Sequence, residues 1–216
     1  INWDPDQQTA LSNIEVIHKD IEGHFYYFDY ILDDGSTHLS VATTRPETMF
    51  GDICLVVNPK DERYQSLIGR WAINPANHEK LPIIADDYVD VSFGTGVMKC
   101  TPAHDANDFA ISERHQLERP LCMNKNGTMN ERAGSFAGLD RFECRRQLVE
   151  RIRLEGNLIK IESIVHAVGH SERSDAIVEP YLSKQWFVKM KPLAQHVLDL
   201  QASEQKIRFF PDRFEA

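Results

Sequence analysis

The density of strand signals in the first half of this chain constrains its fold more than any other feature. Residues 24–32 (HFYYFDYIL) are aromatic and β-branched, the composition that suits a pleated, half-buried surface. Asp33-Asp34-Gly35-Ser36 supplies turn chemistry and residues 38–43 (HLSVAT) then alternate, which predicts a β-hairpin. Further strands are expected at 14–18, 53–57, 82–85, 95–101, 120–124, 158–165 and 206–210, with a tight turn at Asn126-Gly127. Helices are fewer. They are expected at 60–68, stopped by Gly69; at 105–117; at 140–155, ended by Gly156; and after Pro192. The third gathers Phe142, Leu148, Val149 and Ile152 on one face. Regular βαβ alternation is missing, so a mainly β fold with peripheral helices and a closed or curled sheet is expected.

A chain of 216 residues has room for one large domain, or a medium one with appendages. It is 42% hydrophobic and 26% charged, an ordinary globular balance that excludes wholesale disorder. The longest apolar run, Ile53 to Val57, is five residues, too short for a transmembrane helix. Asp4 and Asp6 stand where a secretory leader would carry positive charge. The four cysteines (Cys54, Cys100, Cys122, Cys144) form no CxxC pair, which suits reduced thiols in a cytoplasmic protein. The formal net charge of −9 argues against wrapping a nucleic acid but leaves a local contact to a few nucleotides open. The opening at Ile1 and the polar ending at Ala216 read as a piece of a longer polypeptide.

Two clusters can carry chemistry. In the first, Thr43-Thr44-Arg45-Pro46-Glu47-Thr48, a strand runs into hydroxyls and a guanidinium. Pro46 ends the ladder and leaves those side chains at a rim. A turn leading into a helix cap explains the same residues equally well. The second runs from Phe93-Gly94-Thr95-Gly96 through Lys99 and Thr101 to His104-Asp105-Ala106-Asn107-Asp108. The glycines lack the remainder of a phosphate loop and are expected to let the backbone pass close to something. Asp105 and Asp108 open a helix, where both the dipole and free N–H groups favour carboxylates. They read either as N-cap and first-turn acid, or as a pair that grips an ammonium or hydroxyl group. His104 is a candidate general base. The nine histidines show no metal-ligand spacing, so no metal site is expected.

Together, ATTRPETMFGD at 42–52 and GTGVMKCTPAHDANDF at 94–109 resemble the editing domain inserted into the catalytic domain of valyl-tRNA synthetases, within the class I aminoacyl-tRNA synthetases. Residues 2–16 and 168–190 resemble that family's flanking segments. Leucyl and isoleucyl enzymes carry similar domains, but Lys99 ahead of CTPAHDANDF fits the valyl form better. The resemblance implies a β-barrel core at 16–165, between connecting segments at 1–15 and 166–216 that lead to a catalytic domain. It implies hydrolysis of threonine misattached to tRNA(Val), with the tRNA 3′ end and the rest of the parent chain as partners. Neither a HIGH-like nor a KMSKS-like segment is present, so the chain is expected to edit and not to charge. ATP then belongs to the full-length enzyme alone, and editing needs no cofactor.

By the same resemblance, Asp108 holds the α-ammonium, and Asp105 or its neighbours read the threonine hydroxyl. Phe93 stacks on the terminal adenine, and Arg45 holds the 3′ end or shapes the pocket. Thr43, Thr44, Lys99 and Thr101 position the ester, the ribose and an attacking water, with Lys99 stabilising developing charge. The competing readings are a module that docks the acceptor end without hydrolysis, and a hydrolase of free amino-acid esters.

Overall fold

In the computed structural model, which describes residues 1–204 and 206–214, two strands set the frame. β3 (Val16–Ile31) and β9 (Leu158–Ser171) form a long antiparallel ribbon, in register from Val16↔Ser171 to Phe28↔Leu158, with a bulge between Tyr27 and Phe28. β4 (His38–Thr43) ladders on the other edge of β3, from Ile31↔His38 to Tyr26↔Thr43, so the expected hairpin forms. Its turn places Gly35 at φ 71°, a conformation that favours glycine.

The second sheet has the order β6 (Trp71–Ile73), β7 (Lys80–Ala85), β5 (Cys54–Val57), β8 (Val97–Cys100). β5 and β7 are parallel and the other pairs antiparallel. Every residue of β5 is buried, which explains its unbroken apolar run. The third sheet joins β10 (Glu179–Pro180), β1 (Asn2–Asp4) and β2 (Thr9–Leu11). Among the described residues the ladders make three open sheets. β4 lies beside β8 without pairing, and no closed barrel is found. The fold is mostly β with a few helices.

α1 (Ala106–His115) and α2 (Arg141–Leu154) start at aspartate caps, Asp105 and Asp140. α2 sends Cys144, Leu148, Val149 and Ile152 into the core beside Phe28, Tyr30, Leu39 and Val41. Phe142 does not join them. It is 38% exposed and lies beneath the guanidinium groups of Arg141 and Arg145, at 4.3 and 5.3 Å.

Three expected elements are absent for identifiable reasons. At 60–68 only a 3₁₀ turn, Gln65–Leu67, forms. Asn58 and Asp61 accept the N–H groups of Lys60 and Arg63 at 2.9 and 3.1 Å, trading helix for side-chain turns. At 120–124 side chains take part of the backbone hydrogen bonding: His104 Nε2 accepts Cys122 N–H at 3.0 Å, and Asn130 donates to the Leu121 carbonyl at 2.7 Å. Only the bridge Met123↔Met129 remains, around the expected Asn126-Gly127 turn. The described residues of 206–210 form no ladder.

Two compact units divide at Leu182/Ser183. Within the first, β9 runs through the expected boundary at 165, and β10, drawn from 166–216, pairs with β1, drawn from 1–15. The second unit contains α3 (Met190–Gln201), which begins ahead of Pro192. Proline is tolerated there because first-turn N–H groups lack helical partners. No helix among the described residues is long and apolar enough to cross a membrane.

Candidate active site

The polar end of β4, the end of β8 and the start of α1 converge on a cavity of about 620 Å³, within the usual range for ligand pockets. β4 delivers Thr43 and leads into Thr44 and Arg45, β8 delivers Lys99 and leads into Thr101, and α1 brings Asp105 and Asp108. Phe25, Tyr27 and Ile164 of the ribbon form an apolar wall, and the loop carrying Tyr88 and Phe93 forms another. Phe93 is 72% exposed, a large ring presented at the rim.

Lys99 is the cationic centre. Its Nζ donates to Thr48 Oγ1 at 2.9 Å, to Asp52 Oδ1 at 3.2 Å and to Thr101 Oγ1. Asp52 is wholly buried and also accepts the hydroxyls of Thr101 at 2.6 Å and Tyr30 at 2.9 Å. Burial disfavours the ammonium, but Asp52 and then Asp108 outweigh it and hold the Lys99 pKa above its usual value. Burial pushes the Asp52 pKa up, and Lys99 offsets part of that rise. A buried charge fixed by three acceptors is a preorganised electrostatic element.

Asp108 Oδ2 accepts the Thr101 amide at 2.7 Å. Its Oδ1 accepts no hydrogen bond among the described residues, although the residue is buried and lines the cavity. Burial raises its pKa to about 7, against the pull of Lys99 and with the push of Asp105. Asp105 is the N-cap of α1, its Oδ1 accepting from Asn107 N at 2.7 Å and Asp108 N at 3.1 Å, while Oδ2 has no hydrogen-bond partner among the described residues. Capping therefore uses one oxygen and leaves the other without such a partner, on an exposed residue that lines the cavity.

Thr43 Oγ1 accepts from Arg45 N at 3.1 Å, whereas the Thr44 hydroxyl has no hydrogen-bond partner among the described residues. Arg45 is engaged by the protein itself: it pairs with Glu179, donates to Glu47 Oε1 at 3.3 Å and donates to the His104 carbonyl at 3.3 Å. Arg145 grips Glu47 from the other side with two bonds of 2.7 and 2.8 Å. His104 is buried, and its Nε2 lone pair is occupied by Cys122 N–H. Burial, with Arg45 and Lys99 nearby, lowers its pKa to about 3, so it is neutral and does not offer a base. The close backbone approach expected at the glycines is internal: a Cβ on Gly96 would run into the Arg63 guanidinium of the Arg63–Asp61 pair. Among the described residues no group of three or more metal-ligating side chains is found.

The family model described as tRNA synthetases class I (I, L, M and V) matches residues 1–216. The chain belongs to the class I tRNA synthetases. It is 61% identical over 216 residues to the valine–tRNA ligase of Mesoplasma florum, covering all of this chain and 25% of that protein. It is 60% identical over 215 residues to the valine–tRNA ligase of Staphylococcus haemolyticus, covering 24% of it. The chain thus spans about a quarter of the length of these relatives. A solved leucyl enzyme of Agrobacterium radiobacter, in ternary complex with tRNA and LeuAMS, aligns with TM-score 0.49 and 16% identity over 69% of this chain and 20% of its own.

Within this class I synthetase segment, the expected residues Phe93, Lys99, Thr101, Asp105, Asp108 and Thr43–Arg45 all line one cavity. Asp52 and Glu179 carry no local signal of their roles. Asp52 ends the 42–52 motif, but its partner Lys99 stands 47 positions away, and Glu179 lies 134 positions from its partner Arg45.

Proposed function

We propose that this chain is the editing module of a valine–tRNA ligase and hydrolyses threonine wrongly esterified to tRNA(Val). The observation that carries the reading is the buried Asp108 carboxylate, with one oxygen unpaired toward a cavity that also contains the Lys99 ammonium. A free carboxylate oxygen suits the α-ammonium of an aminoacyl ester, a charge-assisted contact. The second oxygen of Asp105 suits the threonine hydroxyl. Valine would leave that acceptor without the hydroxyl's hydrogen bond, which is how a site favours a hydroxyl that an apolar pocket rejects poorly.

Phe93 offers a π-face to the terminal adenine, a contact that needs no base-edge code. Thr44 and Thr101 position the ribose and the attacking water. The water oxygen adds to the ester carbonyl carbon, and the resulting oxyanion is stabilised by Lys99. Collapse breaks the bond to the ribose oxygen, which takes up the proton the attacking water gives up, releasing threonine and an intact tRNA 3′ end. A metal or cofactor is not needed for this step, and the setting is the cytoplasm, with the remainder of the parent polypeptide supplying the aminoacylation site.

The test is incubation of the chain with labelled Thr-tRNA(Val). Threonine release above the rate without protein supports the reading. Binding of tRNA without release identifies a docking module, and release from threonine esters lacking tRNA at the same efficiency identifies a general esterase.

A further inference from the structure

Glu179 is a buried carboxylate that comes from the β10–β1–β2 sheet and not from either motif. It sits on β10, where Trp3↔Glu179 is a ladder pair with β1, and it is 4% exposed. One of its oxygens pairs with Arg45 Nη2, and the other lies 2.8 Å from Arg141 Nε at the start of α2. Two guanidinium groups from distant parts of the chain thus converge on one carboxylate.

Arg45 has a fork to hand on. Its Nη1 donates to the His104 carbonyl at 3.3 Å. His104 immediately precedes Asp105, whose carboxylate caps α1 and whose neighbour one turn on is Asp108. A planar guanidinium held by one anion presents its remaining N–H groups in a fixed direction. The chain of contacts runs Glu179, Arg45, His104 carbonyl, and then the first turn of α1. Loss of the Glu179 charge removes the anion that Arg45 and Arg141 share, leaving Glu47 beside Arg45 and Asp140 at 3.7 Å from Arg141, and frees Arg45 to reorient and release the His104 carbonyl.

We propose that Glu179 is a positioning residue for hydrolysis: it holds Arg45, and Arg45 in turn fixes the start of α1 that presents Asp105 and Asp108 to the cavity. This rests on the editing reading above. It also makes the sheet formed by both ends of the first unit part of the apparatus that shapes the site.

The test compares the 216-residue chain with Glu179→Gln, Arg45→Lys and the double variant, and with Glu143→Gln, which breaks an exposed pair on α2, as control. Two readouts are taken: kcat/KM for threonine release, and amide hydrogen exchange at Asn107, Asp108 and Phe109. The expected result is a loss of at least tenfold in kcat/KM for each single variant, with the double no more than threefold worse than the weaker single. Exchange at the three α1 amides rises at least tenfold, while Leu148 to Ile152 in α2 keep wild-type protection. The control keeps wild-type values.

Wild-type kcat/KM in Glu179→Gln, effects that multiply in the double variant, or a loss of protection spread evenly through both helices overturns the proposal. Should Glu179→Gln not fold, Arg45→Lys carries the same test, since it keeps a charge facing Glu179 and gives up the fork to His104. If the wild-type chain releases no threonine, the editing reading fails, and the exchange pattern alone decides whether Glu179 holds α1.

Discussion

Asp108 Oδ2 accepts the Thr101 amide hydrogen at 2.7 Å, which ties the first turn of α1 to the strand end that carries Lys99. The carboxylate is therefore fixed by one oxygen while the other faces the cavity. Asparagine can keep the contact to Thr101 through its carbonyl oxygen but cannot pair with an ammonium. Because burial raises the Asp108 pKa to about 7 from 3.8, the folded protein retains a proton that the unfolded chain has released. Stability conferred by the protonated form is full below about pH 4 and is lost as pH rises toward 7. Asp108→Asn should thus be more stable than wild type at pH 7.5, on the order of 3 kcal/mol, while losing at least tenfold in deacylation. Urea denaturation at pH 4 and pH 7.5, paired with the rate, checks this. A variant no more stable at pH 7.5 contradicts it.

Under the proposed function, the same group sets the pH profile of hydrolysis. Only ionised Asp108 can hold the α-ammonium, so kcat/KM should climb through an apparent pKa of about 7. Lys99, whose pKa is held above its usual value, stays charged throughout. Asp108→Asn should abolish the climb along with most of the rate. The measurement is kcat/KM from pH 5.5 to 8.5, and a profile flat across pH 6–8 would assign recognition of the ammonium elsewhere.

Glu47 carries stability more than chemistry. It is fully buried between Arg45 and Arg145. Burial raises its pKa, but Arg145 and Arg45 overcome this and hold it below the usual value. Its contribution is present above the normal glutamate range and is lost as pH falls through the acid range. Glu47→Gln leaves two guanidinium groups without an anion between them and should cost about 3–5 kcal/mol. Chemical denaturation at pH 7 measures it, and a loss under 1 kcal/mol would show that Glu179 alone can compensate Arg45.

Asp105 separates capping from selectivity. Asparagine caps a helix as well as aspartate does, so Asp105→Asn should keep the melting temperature within a few degrees. Under the proposed function, it weakens acceptance of the threonine hydroxyl by removing the charge. The expected outcome is a threefold or larger drop in the ratio of threonine to valine release, followed in parallel deacylation assays. An unchanged ratio would place hydroxyl recognition on another residue.

Local patterning made the β3–β4 hairpin legible, because alternation and turn chemistry lie within twenty contiguous residues of sequence. The Asp105 cap of α1 was legible for the same reason. What local sequence cannot display is pairing across distance. β1 and β10 are three and two residues long and find each other across nearly the whole first unit. Asp52 looks like any turn aspartate until β8 brings Lys99 against it, and Glu179 has no motif at all. The helix expected at 60–68 was lost to side-chain turns at Asn58 and Asp61, and Phe142 left its expected face because two guanidinium groups cover it. The candidate site was readable as two clusters, and the buried ion network that supports it was not.

Under the proposed function, this cavity hydrolyses threonine esters of tRNA(Val) and demands the hydroxyl. Single-turnover release of amino acid from Thr-tRNA(Val) and from Val-tRNA(Val), measured side by side with the wild-type chain, tests it most directly. A hydroxyl contact of roughly 1–3 kcal/mol predicts that threonine is released about ten- to a hundredfold faster than valine. Equal rates for the two esters, or no release of either by folded protein, would contradict the account.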